Sequence, residues 1–363
     1  MRSLHINPDT GLPRCDENIN PASIDNPGMR VVTLGTAGGP RYWKKNIRDR
    51  YGISTAVVVD DRFYLVDAGS GTGRRIRQSG LDYKQLAGFF MTHMHSDHTV
   101  DLPGLLVFGL YEFDTDRDTP LPLYGPGDRG ALPPVSPLAT TPPRPVAPEN
   151  PTPGIEDMLD SLFAAYATDL NDRVLDSLRV SPTDVFKGHD IEIPEETGYH
   201  PNDNPTPDME PFVIFQDDKV TVSAILVEHP PIAPAFAFRF DSKYGSVTIS
   251  GDTTETPNMV RLAKGTDLLL HEAIDFGWVE ELYAHDDRPK AQASRQHHYK
   301  SHTSVEGAVR IAQEAGAKRL ALHHIVPGNS DPNIWAYGKS QMGDAFLIPD
   351  DLDIIEITRT TSK

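Results

Sequence analysis

Residues 86–98 read LAGFFMTHMHSDH. An apolar, aromatic run passes into a polar cluster within a few positions, which predicts a buried strand running straight into a site-forming turn. His93 and His95 carry the period-two spacing of one strand face, so on this reading they grip one metal ion together. Asp97 and His98 follow around the turn and are placed to grip a second. Imidazole nitrogens and carboxylate oxygens suit zinc at about 2.0–2.2 Å. Packing alone is a poor reason for three histidines and an aspartate within six residues.

Upstream, MRVVTLGTAGGP (29–40) predicts a strand ending in a tight glycine loop, and STAVVVDD with RFYLVDAGSGTG (54–73) two more strands across an Asp-rich turn. RRIRQSG (74–80) reads as a short helical turn. Downstream, LPLYGPG (121–127) suggests a strand. Residues 131–154 then carry nine prolines, which excludes helix and central strand and predicts an extended surface excursion. Apolar residues at Ile155, Met158, Leu159, Leu162, Phe163, Tyr166, Leu170, Val174 and Leu178 are spaced as one amphipathic helix. Residues 180–210 are again rich in proline and acid. Strand patterns return in 211–252, followed by a helix (256–265), a strand (266–273), a His-rich loop, a helix (304–317) and a strand (319–327). Strands of both kinds with interspersed helices predict an α/β fold of two packed mixed sheets flanked by helices, forming one domain over 28–363. Residues 1–27 are polar and without apolar rhythm, an arm either disordered or laid over a neighbour.

Three further ligand candidates sit at predicted strand ends: His229, Asp252 and His324. Each alone reads as well as a capping or satisfied polar residue. Taken with the first cluster they complete two ligand sets, and a dinuclear site needs one bridging carboxylate, for which Asp252 is the obvious choice.

The composition sets outer limits. There are 34 Lys and Arg against 52 Asp and Glu, a formal net charge of −18. That balance argues against a surface built to coat nucleic acid. No apolar run is long enough to span a membrane, and the N-terminus lacks the apolar core of a secretory signal. A single cysteine, Cys15, permits no intrachain disulfide. A cytoplasmic location and no membrane partner are the resulting expectations.

The order GTAGGP, LVDAGSGT, THMHSDH, a later EH, SGDT and LHH resembles the metallo-β-lactamase-fold hydrolases, whose architecture is an αββα sandwich. Within them the chain looks most like the branch holding ribonuclease Z and the zinc arylsulfatases, with LPGLL after the His cluster, PAFAFRF after His229 and LLLHEA after SGDT in the same pattern. The resemblance runs from Met29 to the C-terminal strand, leaving out the Pro-rich excursion. It implies two zinc ions per chain, with manganese or iron also compatible with N/O ligands. His93, His95 and His229 would hold the first ion, Asp97, His98 and His324 the second, and Asp252 would bridge. His323 is a less favoured alternative, because the family position precedes Ile325. Asp67 resembles the aspartate that supports the metal ligands from behind. His302, in SHTSVEGA, resembles a histidine at a helix start that assists the leaving group. The bland alternative is that Ser301 or Thr303 caps the next helix and His302 stands by. His271 and Glu272 end a strand aimed at the same face and read as pocket lining or support.

These assignments imply a metal-dependent hydrolase in which a dizinc-bound hydroxide attacks an ester-like bond: aryl sulfate, phosphodiester, carboxylic ester or lactone. Asp97 and Asp252 would orient the hydroxide or accept its proton. The alternative is a ribonuclease Z-like tRNA 3′-end endonuclease. That family usually clamps tRNA with a long arm between the positions matching His229 and Asp252, where this chain has only 22 residues. The expectation is therefore a small-molecule substrate, anionic or neutral, with nucleic acid disfavoured. An iron redox enzyme on this fold would place a carboxylate where His95 stands. The segment 41–51 places five basic residues among aromatics, as a solvated loop or a landing strip for an anion. Tyr283–Lys300, with His285, His297 and His298, reads as a loop, either a lid carrying substrate contacts or a solvated surface segment. The excursion and the 155–178 helix are expected to shape substrate access or a homodimer contact.

Overall fold

The computed structural model describes residues 5–6, 13–14, 20–23, 26–44, 50–113 and 118–358. Most of the 1–27 arm, Cys15 and residues 45–49 of the basic segment lie outside the described residues. A two-residue strand pair, β1 (His5–Ile6) and β2 (Pro13–Arg14), stands apart from the rest.

The first large sheet contains β3 (Met29–Gly35), β4 (Ser54–Val59), β5 (Arg62–Val66), β6 (Leu86–Phe90), β7 (Leu121–Pro126) and β8 (Phe186–Ile191). The second contains β9 (Phe212–Gln216), β10 (Val220–Leu226), β11 (Phe236–Ser242), β12 (Gly245–Ile249), β13 (Leu268–Ile274), β14 (Leu320–Val326) and β15 (Phe346–Leu347). The C-terminal β16 (Ile354–Ile357) returns to the free edge of β3. The orders are β16-β3-β4-β5-β6-β7-β8 and β9-β10-β11-β12-β13-β14-β15. Read this way, each sheet has three antiparallel pairings followed by three parallel ones. The two halves thus share one plan.

Strand alternation explains the layers. Met29, Val31, Val57, Val59, Tyr64 and Phe90 face inward against Val222, Ala224, Phe238, Phe240 and Val247 of the second sheet. The intervening Val32, Leu34, Val58, Phe63, Leu65 and Phe89 face outward, where helices cover them. Those helices are α1 (Thr72–Ser79), α3 (Leu102–Glu112) and α4 (Ile155–Ala165), while the short turn α2 (Ser96–Thr99) closes the His-rich loop before α3. Both faces of β3 to β6 are therefore apolar, which is why these strands read as continuous hydrophobic runs. Among the described arm residues, Ala22 is buried on this helical side and its carbonyl accepts a bond from Gln85 Nε2 at 2.6 Å.

Several sequence expectations need correction. The single helix over 155–178 is two, α4 and α5 (Ala167–Leu175), broken at Tyr166 (φ −100°, ψ 11°). The break lets Leu170 bury while Tyr166, Leu175 and Leu178 stay exposed, so the apolar stripe does not run on as one face. The Pro-rich 180–210 stretch contains a short helix, α6 (Pro182–Val185), and the edge strand β8, in which only Phe186 and Ile191 are buried. The last segments before the C-terminus add α7 (Pro257–Leu262), α8 (Phe276–Tyr283), α9 (Pro289–Ser301), α10 (Val305–Ala315) and α11 (Ala336–Met342). The supposed 283–300 loop is largely α9, started by Pro289 at a position where its missing N–H costs nothing. The 131–154 excursion holds no helix or strand and is mostly exposed.

Candidate metal centre

Strand direction gathers the site. β3, β5, β6, β10, β12, β13 and β14 all end at one edge of the sandwich, the edge where ligands collect in open α/β sheets. Asp67 follows β5, the His93–His98 cluster follows β6, His229 follows β10 and Asp252 follows β12. The strand β6 stops at Phe90, so His93 and His95 lie in a loop and not on one strand face as their spacing suggested. The cause is Asp67, whose carboxylate accepts the Thr92 N–H at 2.8 Å and the Thr92 hydroxyl at 2.9 Å, pulling the chain off the sheet.

The loop nonetheless brings the histidines together. His93 Nε2 lies 3.0 Å from His95 Nδ1, and His229 Nε2 lies 3.1 Å from the same atom. Asp97, His98, Asp252 and His324 form a second group, and within each group the donor atoms lie within 4.8 Å of one another. Asp252 joins the two. Its Oδ2 is 3.9 Å from His93 Nε2 and 3.7 Å from His229 Nε2, whereas its Oδ1 is 3.4 Å from His98 Nε2 and 3.2 Å from His324 Nδ1.

The groups behind these atoms orient them. The Ser301 carbonyl accepts from His229 Nδ1 at 2.7 Å, which leaves Nε2 as the lone-pair atom facing the site. Asp67 Oδ2 sits 2.8 Å from His98 Nδ1, directing His98 Nε2 inward in the same way. Asp97 Oδ2 accepts the Gly39 N–H at 3.0 Å and lies 3.3 Å from His324 Nε2.

His324 owes its position to a bulge. Glu272 pairs with His323 and Ala273 with Ile325, so His324 is the extra residue, at φ 44°. The bulge turns His324, and not His323, toward Asp97 and Asp252. His323 is buried with neither ring nitrogen hydrogen-bonded. Asp67 also has a left-handed backbone, φ 59°. Such conformations cost roughly 1–3 kcal/mol each and concentrate at functional sites. Gly38 is packed so closely that a Cβ there would lie 2.4 Å from the His324 ring.

The chemistry of this donor set fits cations. His98 Nε2, Asp252 Oδ1 and His324 Nδ1 are buried without a hydrogen-bond partner, although all three converge on one point. Burial holds His93 and His229 well below the usual histidine range, leaving them neutral and ready to ligate. His98 behaves oppositely: burial disfavours its charge, but Asp252, Asp67 and Asp97 raise it well above that range. The negative field that draws a proton there also draws a metal ion. Burial likewise opposes ionisation of Asp252, yet His324 and His98 hold its carboxyl well below the usual range.

Of the other expected residues, His302 Nδ1 lies 3.0 Å from Glu272 Oε1 and 4.0 Å from Asp252 Oδ2. Ser304, and neither Ser301 nor Thr303, caps α10 by accepting the Gly307 N–H. Glu272 also accepts the Thr253 N–H at 2.8 Å. His271 is wholly buried, bonded through Nδ1 to the Glu272 carbonyl, and does not line the cleft. His285 is exposed on the surface.

The cleft above the centre encloses about 490 Å³. Besides ligand candidates it is lined by Arg41, Trp43, Trp278, Tyr283, His297 and His298. Trp43 and Trp278 meet edge to face at 5.7 Å, and the Arg41 guanidinium lies 5.5 Å from the Trp278 ring. Sequence reasoning missed Trp278, Gly38 and the Ser301 carbonyl. The glycine pair after β3 was a usable signal for close approach; a backbone carbonyl leaves none.

No family model matches the chain. It is 28% identical over 333 residues to a protein named ribonuclease Z from Mycobacterium sp. (strain KMS), covering 91% of this chain and 96% of that one. It is 26% identical over 338 residues to the ribonuclease Z of Mycolicibacterium gilvum, with the same two coverages. Among solved structures it resembles the short form of human tRNase Z (TM-score 0.57, 21% identity, 91% of this chain and 100% of that one). It also resembles the metallo-β-lactamase fold protein YhfI from Bacillus subtilis (TM-score 0.53, 18% identity, 90% and 99%). The chain has the metallo-β-lactamase fold and is a ribonuclease Z-like hydrolase. These relatives lend nothing to the arylsulfatase side of the expected branch. They also overturn the expectation of a small-molecule substrate with nucleic acid disfavoured. That expectation rested on the short 22-residue interval between His229 and Asp252, which leaves no room for a long arm, and on net charge, which sums the whole surface, whereas the rim of this cleft presents Arg41 and aromatic rings.

Proposed function

We propose that this ribonuclease Z-like hydrolase is an endonuclease that hydrolyses a phosphodiester bond at the 3′ end of a tRNA precursor, with two zinc ions as the default metals. The observation that carries this reading is the similarity to proteins named ribonuclease Z along nine-tenths of the chain. The double ligand set supports it. His93, His95 and His229 would hold one ion, Asp97, His98 and His324 the other, with one oxygen of Asp252 directed at each. Bound there, the ions supply Lewis acidity and bring a water's pKa into the neutral range.

The chain's own residues account for the rest. Arg41, at the cleft rim, offers a guanidinium to the non-bridging phosphate oxygens. Trp43 and Trp278 present ring faces and edges against which a base can stack. Asp97 and Asp252 are placed to orient the attacking water. His302 is the proton donor to the departing ribose oxygen. Burial disfavours its charged form, but Glu272 and Asp252 push its pKa up to about 9, so Nδ1 engages Glu272 while Nε2 keeps a proton to give.

The test is cleavage of a tRNA precursor carrying a 3′ trailer by zinc-loaded protein. The expected result is one cut at the trailer junction, abolished in Asp252→Ala. Protein shown to hold its metals but leaving the precursor intact would refute the reading. Replacing His302 by Ala should lower kcat about 10²–10⁴-fold with KM little changed, and a substrate with an activated leaving group should regain most of the loss. Equal losses on both substrates would remove His302 as donor.

A further inference from the structure

Only 22 residues separate His229, which follows β10, from Asp252, and β11 and β12 fill most of that interval as a hairpin. No long RNA-gripping arm projects there, so an RNA chain must be held by other surface. A second cavity, of about 370 Å³, adjoins the metal cleft and shares Ala293 and His297 of α9 as a common wall. His297 stands 6.2 Å from the His95 ring and 6.0 Å from the His302 ring, so the cavity opens beside the reacting centre.

Its chemistry differs from that of the molecule as a whole. In a chain of net charge −18, no Asp or Glu lines this cavity, and both Arg129 and Lys300 do. Arg129 is only 8% exposed. Its Nη atoms donate to neutral acceptors, the Pro231 carbonyl at 2.6 Å, the Pro201 carbonyl at 3.2 Å and Asn202 Oδ1 at 2.7 Å, while Nε has no partner. Among the described residues no carboxylate lies within ion-pair distance of it. A buried guanidinium without a counter-charge is costly unless an anion completes it. Part of the lining is apolar and comes from the Pro-rich excursion, through Pro134 and Val135.

We propose that this cavity is a nucleotide subsite for RNA, receiving the nucleotide next to the scissile phosphodiester. Its phosphate is held by Lys300 with Arg129 behind it, and its base or ribose lies against the excursion. This rests on the RNA-cleaving reading above and gives the excursion a function: it builds the outer wall of the subsite.

The experiment measures equilibrium binding of a 5′-labelled single-stranded pentaribonucleotide to full-length, zinc-loaded protein by fluorescence anisotropy. Wild type is compared with Lys300→Glu, with Val135→Glu, and with Lys84→Glu, which makes the same charge change at the opposite end of β6. Lys300 and Val135 are both exposed, so neither substitution threatens the fold. The expected result is a Kd raised at least fivefold by Lys300→Glu and by Val135→Glu and unmoved by Lys84→Glu. No binding to wild type, an effect of Lys300→Glu alone, or equal effects of all three would overturn the subsite. Binding that depends on Lys300 and Val135 in a protein that fails to cut precursor tRNA would leave the subsite standing and remove only the tRNA reading.

Discussion

At the scale of single residues, the centre depends on atoms that are oriented before any ion arrives. His229 is aimed by a carbonyl and His98 by Asp67, and that aspartate also draws Thr92 and the whole His loop off the sheet. Asp67→Asn should therefore weaken metal binding or activity about 10–100-fold while the protein stays folded. Competition with a chromophoric chelator reads the affinity directly, and wild-type affinity would show that Asp67 serves only the turn. Gly38→Ala tests the opposite flank. Its methyl meets the His324 ring, so either the ring or the loop must move. Loss of the second metal with the first retained is the expected outcome, and full occupancy of both would show that the ring yields freely. The ligand candidates were legible in the sequence because their chemistry is unusual and clustered. The choice of His324 over His323 came from the family resemblance alone, since physically it is made by a bulge that depends on pairing with β13.

At the scale of elements, the edge opposite the metal centre holds the two sheets in register. Asp60, in the β4–β5 turn, pairs with Lys219 at 3.2 Å across the sandwich, and Tyr64 donates to Asp217 at 2.6 Å. Burial opposes the charge on Asp60, but bonds from Tyr244, Lys219 and the Gly28 N–H outweigh it and hold the carboxyl at about 2, below its ordinary 3.8. A lowered carboxyl pKa stabilises the fold fully above the unfolded value, and the contribution is lost as pH falls through the folded one. Asp60→Asn should thus cost on the order of 1–2 kcal/mol at pH 7, discounted for the exposure of Lys219 and of Lys243, which lies 3.5 Å from the same carboxylate. In urea denaturation the gap from wild type should be flat from pH 8 to 5, about that size, and should shrink below about pH 4. A gap independent of pH would show that the charge does not matter. Most strands were readable because both faces of the central ones are apolar. The helix α9 was not, because Pro289–Ser301 has no apolar rhythm and only its proline announces a start. The strand β8 hid in a polar, proline-rich stretch because it lies at a sheet edge with few buried side chains.

At the scale of the whole molecule, each sheet carries three antiparallel and then three parallel pairings, and the strand ends meet over one centre. His and Asp side chains following strands of both sheets meet there, so an ion held by them would couple metal binding to the stability of the sandwich. Ions that bind the folded chain at 100 times their Kd add about 2.7 kcal/mol. Removing them with a chelator should lower Tm by several degrees, and re-addition of zinc should restore it; an unchanged Tm would show that the centre is uncoupled from the fold. Net charge was the least informative quantity in the sequence. A value of −18 describes the outer surface and says nothing about a cleft rimmed by Arg41 or a cavity lined by Arg129 and Lys300.

The account turns on a two-metal centre divided by Asp252, and anomalous diffraction at the zinc edge from crystals of the zinc-loaded protein tests it most directly. Two peaks are predicted, one among His93, His95 and His229 and one among Asp97, His98 and His324, each facing one oxygen of Asp252. In Asp252→Ala at least one peak should vanish. A single peak in the wild-type protein, or two peaks unaffected by Asp252→Ala, would contradict it.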